Sequence, residues 1–314
     1  MSKELLHITN GGHLSGRLTE LEIPGEQLTW QEIFCEGRTL ETIHCKESIE
    51  VRRSFLNDFY DIDLDLKKVD TALEILDHAE EKYSEIILWF DYDLFSHVNM
   101  LAVISLIKQK KIKLPIYLVC SGRIPGNKSL TSLMELNTSQ FLNQYKTKVA
   151  LNDEDIDMAT TVWAIYCGKD HNLLKPFIVK GSSFKYLSNC LKAHLERFPD
   201  SKDGLNILER NILEIVRDNI IKSKHHLLGY ALNYQGYYGY RDLQLARSID
   251  KLSIFLNEEE NSITLNRDGH EALLAQHNFS KEVDSDMQFG GVKKYDFQFS
   301  KPLNKLVKTV SNAN

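Results

Sequence analysis

Three short runs of almost unbroken apolar character limit what this 314-residue chain can fold into: LLHIT at 5–9, EIILWF at 85–90 and PIYLV at 115–119. A strand with one wet face alternates apolar and polar side chains, whereas a run apolar at nearly every position is covered on both faces, as in parallel sheets. EQLTW at 26–30 is a weaker fourth candidate. The segments between these runs have helical spacing. Val69, Leu73, Leu76 and Tyr83 fall on one face of a helix, and HVNMLAVISLIKQ at 97–109 is apolar nearly all round. Strand and helix alternate, so residues 1–126 are expected to form an α/β domain with a Rossmann-like, mostly parallel sheet.

Beyond Gly126 the pattern changes. SLTSLMELNTSQFLNQY, DEDIDMATTVWAIYCG and FKYLSNCLKAHLERF all have helical spacing, and residues 127–203 are expected to be a helical region without a convincing strand. Pro199, Asp203 and Gly204 break the last of these helices. From 204 to 314 the order is LNILERNILEIVRDNI, a further helix, YRDLQLARSIDKLSI, SITLNRDGHEALLAQ and GGVKKYDFQF. Three helices followed by a short strand at a glycine turn are expected to form a winged-helix-like module, with Tyr295, Phe297 and Phe299 alternating along a final strand.

Composition excludes several classes. With 42% hydrophobic and 26% charged residues the chain is expected to be globular, and a net charge of -6 argues against a protein that coats nucleic acid. No apolar stretch is long enough to span a bilayer, and MSKELLHITN lacks the features of a secretory signal, so the expected location is the cytoplasm. Five cysteines at irregular spacing, without CxxC, fit neither a disulfide framework nor a zinc ribbon. Cys120, where a strand gives way to a turn, is expected to be a packed thiol.

LHITNGGHLSGRL, IPGEQLTWQEIFCEG, ILWFDYDLFSHVNML, AHLERFP followed by GLNILERNIL, and the closing GGVKKYDF together resemble the bacterial "domain of unknown function 1835" family. The match covers most of the chain in order. It departs at Asp91 and Tyr92, where family members more often carry Glu then His. The resemblance implies an architecture and little chemistry.

In an open parallel sheet, ligands bind beyond the carboxyl ends of the strands, near a reversal of strand order. The ends to compare are Thr9–His13, Asp91–Asp93 and Cys120–Arg123. Asn10, Gly11 and Gly12 could bring backbone amides to a phosphate at a helix start, or simply form a tight turn. Arg123 is a second candidate for an anion. Asp91 and Asp93 could share a divalent cation such as Mg²⁺ or hold ligand hydroxyls in a catalytic role; alternatively Asp93 caps the following helix through the amide of Phe95 or Ser96. Two carboxylates would repel a bare phosphate, so any phosphate is expected over Asn10–Gly12 or Arg123.

Glu32 and Glu36 are acid or base candidates, with Glu36 preferred. Arg17, Arg38, Arg52 and Arg53 are either counter-charges for an acidic ligand or solvated. His270 and His277 are too far apart for HExxH, and His7 is expected to be packed. Tyr230, Tyr234, Tyr237, Tyr238 and Tyr240, beside Arg241, could stack bases or form an interface core. The expectation is therefore a protein that binds a small phosphorylated or nucleotide-like ligand, as a hydrolase or transferase. The alternative is a regulator that meets DNA or a protein partner through residues 204–314.

Overall fold

The structure, a computed structural model, describes residues 3–127, 129–283 and 285–309. All four candidate runs are strands: Glu4–Asn10, Glu26–Trp30, Tyr83–Phe90 and Ile116–Cys120. They pair parallel, with Glu4–Asn10 between Glu26–Trp30 and Tyr83–Phe90, and Ile116–Cys120 next to the latter. A two-residue strand, Val149–Ala150, closes one edge antiparallel. This corrects the expectation that residues 127–203 hold no strand; two residues are too few to show alternation. Leu130–Thr131 likewise pairs with Gly122–Arg123.

Side chains two apart share a face of the sheet. Leu6, Ile8, Ile86, Leu88, Phe90, Ile116 and Leu118 join the largest core cluster, while Ile87, Trp89 and Val119 join another with Leu14, Leu18 and Phe141. Both faces are covered, which is why the runs are unbroken. The larger face receives Leu94–Gln109, buried continuously from Leu94 to Ile107, as its uniformly apolar sequence requires. The expected helix over 69–83 is shorter. It runs Leu66–Asp77, followed by the short helix Ala79–Lys82, and Tyr83 opens the central strand.

The middle of the chain forms helices Thr138–Lys146, Asp153–Cys167 and Leu187–Glu196. Then come helices Ile207–Asp218, Lys224–Tyr234 and Asp242–Lys251, a hairpin of Leu256–Glu259 with Ser262–Leu265, and a short helix Arg267–Leu273. The hairpin lies ahead of GGVKKYDF and not within it. Phe289–Gly290 instead pairs parallel with Gly37–Arg38, so the end of the chain is knitted to its beginning. Gly290, at φ +60°, turns this strand back onto Val292–Lys293. Tyr295 lies in a single 3-10 turn, and the final strands are Phe297–Ser300 and Lys305–Lys308.

Candidate functional site

Strand order reverses between Glu4–Asn10 and Tyr83–Phe90, because the chain leaves the first strand toward one edge and returns on the other side. The crevice expected at such a point lies between Asn10–Gly12 and Asp91–Asp93. The structure brings these residues together and fills the space between them. Asn10 donates through Nδ2 to Ser96 Oγ at 3.0 Å and accepts from Asn99 Nδ2 at 3.0 Å. Its amide is thus committed to the helix that follows the central strand.

Asp91 is buried and satisfied. Its Oδ1 accepts from Ser121 Oγ at 2.7 Å and from the Leu133 amide at 2.6 Å. Asp93 is the N-cap of Leu94–Gln109, accepting from the Ser96 amide at 2.7 Å. The first two amides of that helix, on Leu94 and Phe95, donate to the carbonyls of Tyr237 and Tyr238. Gly239, at φ +66°, sits against the Asp93 carboxyl so closely that any Cβ there would collide with it. Two of the clustered tyrosines therefore present their backbone to a helix start, the place where an anion would bind.

Burial pushes both carboxyls above their ordinary range, Asp93 to about 6, where the neighbouring Asp91 charge adds to the effect. Among the described residues no group of three or more His, Cys, Asp or Glu side chains could hold a metal ion. Asp91 and Asp93 stand as two carboxylates, each already accepting through Oδ1 from neighbouring donors.

The other candidates lie elsewhere. Arg123 is exposed, and its backbone amide donates to the Tyr186 hydroxyl oxygen. Glu36 is buried among Tyr60 and Gln244, both of which donate to its Oε2. Arg52, which could have been solvated, is buried instead. It donates to the carbonyls of Ile33, Glu36 and Arg38 and stacks on Phe34 and Phe55, clamping the loop after Trp30. His7 is packed as expected, between Trp89 Nε1 and the Pro24 carbonyl. Burial raises the Cys120 thiol, which suits a packed group.

Gly11 and Gly12 do open a helix, Gly12–Glu20, whose N-cap has no side-chain bond and whose first turn carries no acid. Open space flanks Gly11. Ser15, one turn in, bridges Thr9 and Thr29 through two hydroxyl contacts of 2.6 Å and ties the ends of the two strands. Gln31 lies beside Gly12 and also lines a cavity of about 280 Å³ beyond the carboxyl end of Glu26–Trp30. Its walls include Trp30, Glu32, His44, Val69 and Ala72, and Lys68 reaches Gln31 Oε1 across the mouth.

His44, which sequence reasoning did not single out, stands at φ +55°, an uncommon conformation for a side chain-bearing residue. Its Nε2 lies 3.4 Å from Glu32 Oε1, and its ring stacks on Trp30. Asn99 holds this loop in place, donating to the Glu32 carbonyl and accepting from the Phe34 amide.

No protein-family model matches the chain, and no curated protein matches it. Among the solved structures that match, the DNA-binding, cleavage and re-ligation domain of Plasmodium falciparum topoisomerase II is similar over 80% of this chain and 42% of its own, at 13% identity and a TM-score of 0.48. The chain thus spans less than half of that structure, and a likeness of this size carries no argument about function.

Proposed function

We propose that this protein binds a small phosphorylated or nucleotide-like ligand at the carboxyl end of its sheet, as a hydrolase or transferase, in the cavity beyond Glu26–Trp30. The observation that carries this reading is the cavity itself. It lies at the carboxyl end of the edge strand Glu26–Trp30, one strand away from the strand-order reversal, and Gln31 connects it to the uncapped start of Gly12–Glu20. A phosphate would sit over Gly11 and Gly12, where no carboxylate opposes it, and the rest of the ligand would lie in the cavity. Asp91 and Asp93 act in this reading as supports, since Oδ1 of each already accepts from neighbouring donors.

A thermal-shift series of the full chain with nucleoside monophosphates and sugar phosphates tests it. A rise of several degrees is expected with at least one compound, lost in Ala72→Phe, which fills the cavity. No rise with any compound, or one that survives the filled cavity, overturns the proposal.

A second reading, a regulator acting through a winged-helix-like module, has one specific support. Ile221, between the first two C-terminal helices, bridges Ile263 of the hairpin antiparallel, which is the order of such a module. Its chemistry favours a protein partner over DNA, because the hairpin turn carries Glu258, Glu259 and Glu260. Salt-dependent retention of duplex DNA by the full chain would reverse that preference.

A further inference from the structure

The cavity beyond Trp30 is walled mainly by hydrocarbon. Ile33, Leu56, Ile62, Leu64, Val69 and Ala72 surround it, supplied by the loop after Glu26–Trp30, the helix Lys46–Tyr60, the segment that follows that helix, and the helix Leu66–Asp77. Ile33, Ile62 and Leu64 are only half-buried, so branched apolar surface stands open there. Trp30, Glu32 and His44 also belong to the wall, but Trp30 Nε1, Glu32 Oε2 and His44 Nδ1 have almost no exposed surface and are turned away from the space. Glu32 Oε1 and His44 Nε2 face each other at 3.4 Å, and the buried Arg52 guanidinium offsets the Glu32 charge. A ligand inside meets carbon.

Polar groups gather instead at the rim, where Gln31, Asp63, Asp65 and Lys68 are all exposed. Contacts run in order along it. Lys68 Nζ lies 3.8 Å from Asp65 and donates to Gln31 Oε1 at 3.1 Å, while Gln31 Nε2 comes within 3.6 Å of where a Cβ on Gly12 would stand. The ammonium therefore stands between the acidic part of the rim and the open start of Gly12–Glu20. Both of its contacts are exposed, and exposed pairs of this kind hold a lysine weakly, so it is free to turn toward an anion.

On the reading of this cavity as a ligand site, we infer that its ligand is a monophosphate ester with an aliphatic body of about five to ten carbons, and that sugar phosphates and nucleotides are poor occupants. The carbon chain lies against Ile33, Leu64 and Val69, and Lys68 turns from Gln31 to the phosphate over Gly11 and Gly12. A sugar would set its hydroxyls against a wall that returns no hydrogen bond, which is unfavourable. The cavity holds about 280 Å³. At about 30 Å³ for each non-hydrogen atom, as in liquid water, roughly nine such atoms fill it, which sets the upper length of the body.

The test is calorimetry on the full chain with hexyl phosphate, 3-methylbutyl phosphate, ribose 5-phosphate and adenosine monophosphate. One saturable site is expected for the alkyl phosphates, at least tenfold tighter than for the other two. Leu64→Asn, which sets an amide into the wall at a half-buried position, should weaken the alkyl phosphates at least tenfold while the melting temperature of the free protein stays within a few degrees. Lys68→Ala should weaken them at least threefold. Alkyl-phosphate binding unchanged in either variant overturns the inference. Ribose 5-phosphate or adenosine monophosphate bound as tightly as the alkyl compounds, and lost in Ala72→Phe, would sink the aliphatic body and leave the cavity reading standing. No compound sensitive to Ala72→Phe would sink both.

Discussion

Two places at the same end of one sheet, the Asp91–Asp93 crevice and the cavity beyond Trp30, have been given opposite fates. In the first, each carboxylate holds backbone or hydroxyl donors, and a glycine loop from the far end of the chain closes the gap. In the second, Trp30, Glu32 and His44 are among the residues that line a cavity of about 280 Å³. Position at a strand end creates the opportunity for a site. Whether the space there is filled by the rest of the chain separates a supporting contact from a cavity that a ligand could enter.

The comparison breaks most visibly at Gly239. Gly239→Val should destabilise the protein by at least about 3 kcal/mol, from the φ +66° backbone and the collision with Asp93. Denaturant unfolding measures this, and a change within about 1 kcal/mol would mean the crevice is not closed as described. Next comes a matched pair. Asp91→Ala strands the Ser121 hydroxyl and the Leu133 amide and should cost about 2–3 kcal/mol. Glu32→Gln has no donor to lose at Oε2 and should stay within about 1 kcal/mol. Equal losses from the two would erase the distinction.

Acid sharpens the contrast further. Burial lowers the imidazoles of His97 and His171 to about 4 and takes His194 well below its ordinary value. The unfolded chain then binds more protons than the folded one as pH falls below about 6.5, so these groups contribute stability that is present at neutral pH and lost toward pH 4. The raised Asp93 carboxyl works in the opposite sense. Its penalty is full above about 6 and is relieved on acidification. The urea midpoint should therefore fall from pH 7 to pH 5, and fall more steeply in Asp93→Asn, which keeps a capping oxygen but removes the relief. A shallower fall in that variant would show that the crevice carboxyl is not held up by burial. The smallest effect belongs to Lys68→Ala. Its exposed ammonium at the cavity mouth should change stability by less than about 0.5 kcal/mol in the same unfolding assay.

The sheet was legible because burial on both faces writes itself into consecutive residues such as Ile86 to Phe90. The capping role of Asp93 was legible for the same local reason: a cap and its amide lie three residues apart. What escaped depends on distant pairing. Asn99 reads as one more position on an apolar helix, yet it holds both Asn10 and Glu32. Glu36 and Glu32 lie four residues apart in the same loop, and spacing alone supports Glu36 as no more than a candidate acid or base. Only the positions of Gln244 and Tyr60 show that the first is spoken for. The one available signal for His44 was its place next to Cys45, where a helix begins with a side-chain cap. Its left-handed backbone could not be read from spacing.

The amides of Leu94 and Phe95 carry a consequence for how the chain is made. They wait for carbonyls at Tyr237 and Tyr238, and Gly37–Arg38 waits for Phe289–Gly290. During synthesis the sheet can gather its own strands early, but its carboxyl end stays unsealed until Tyr237 and Tyr238 emerge. A chain interrupted before Tyr237 would present open backbone at that end, and one that has passed it supplies the missing carbonyls itself.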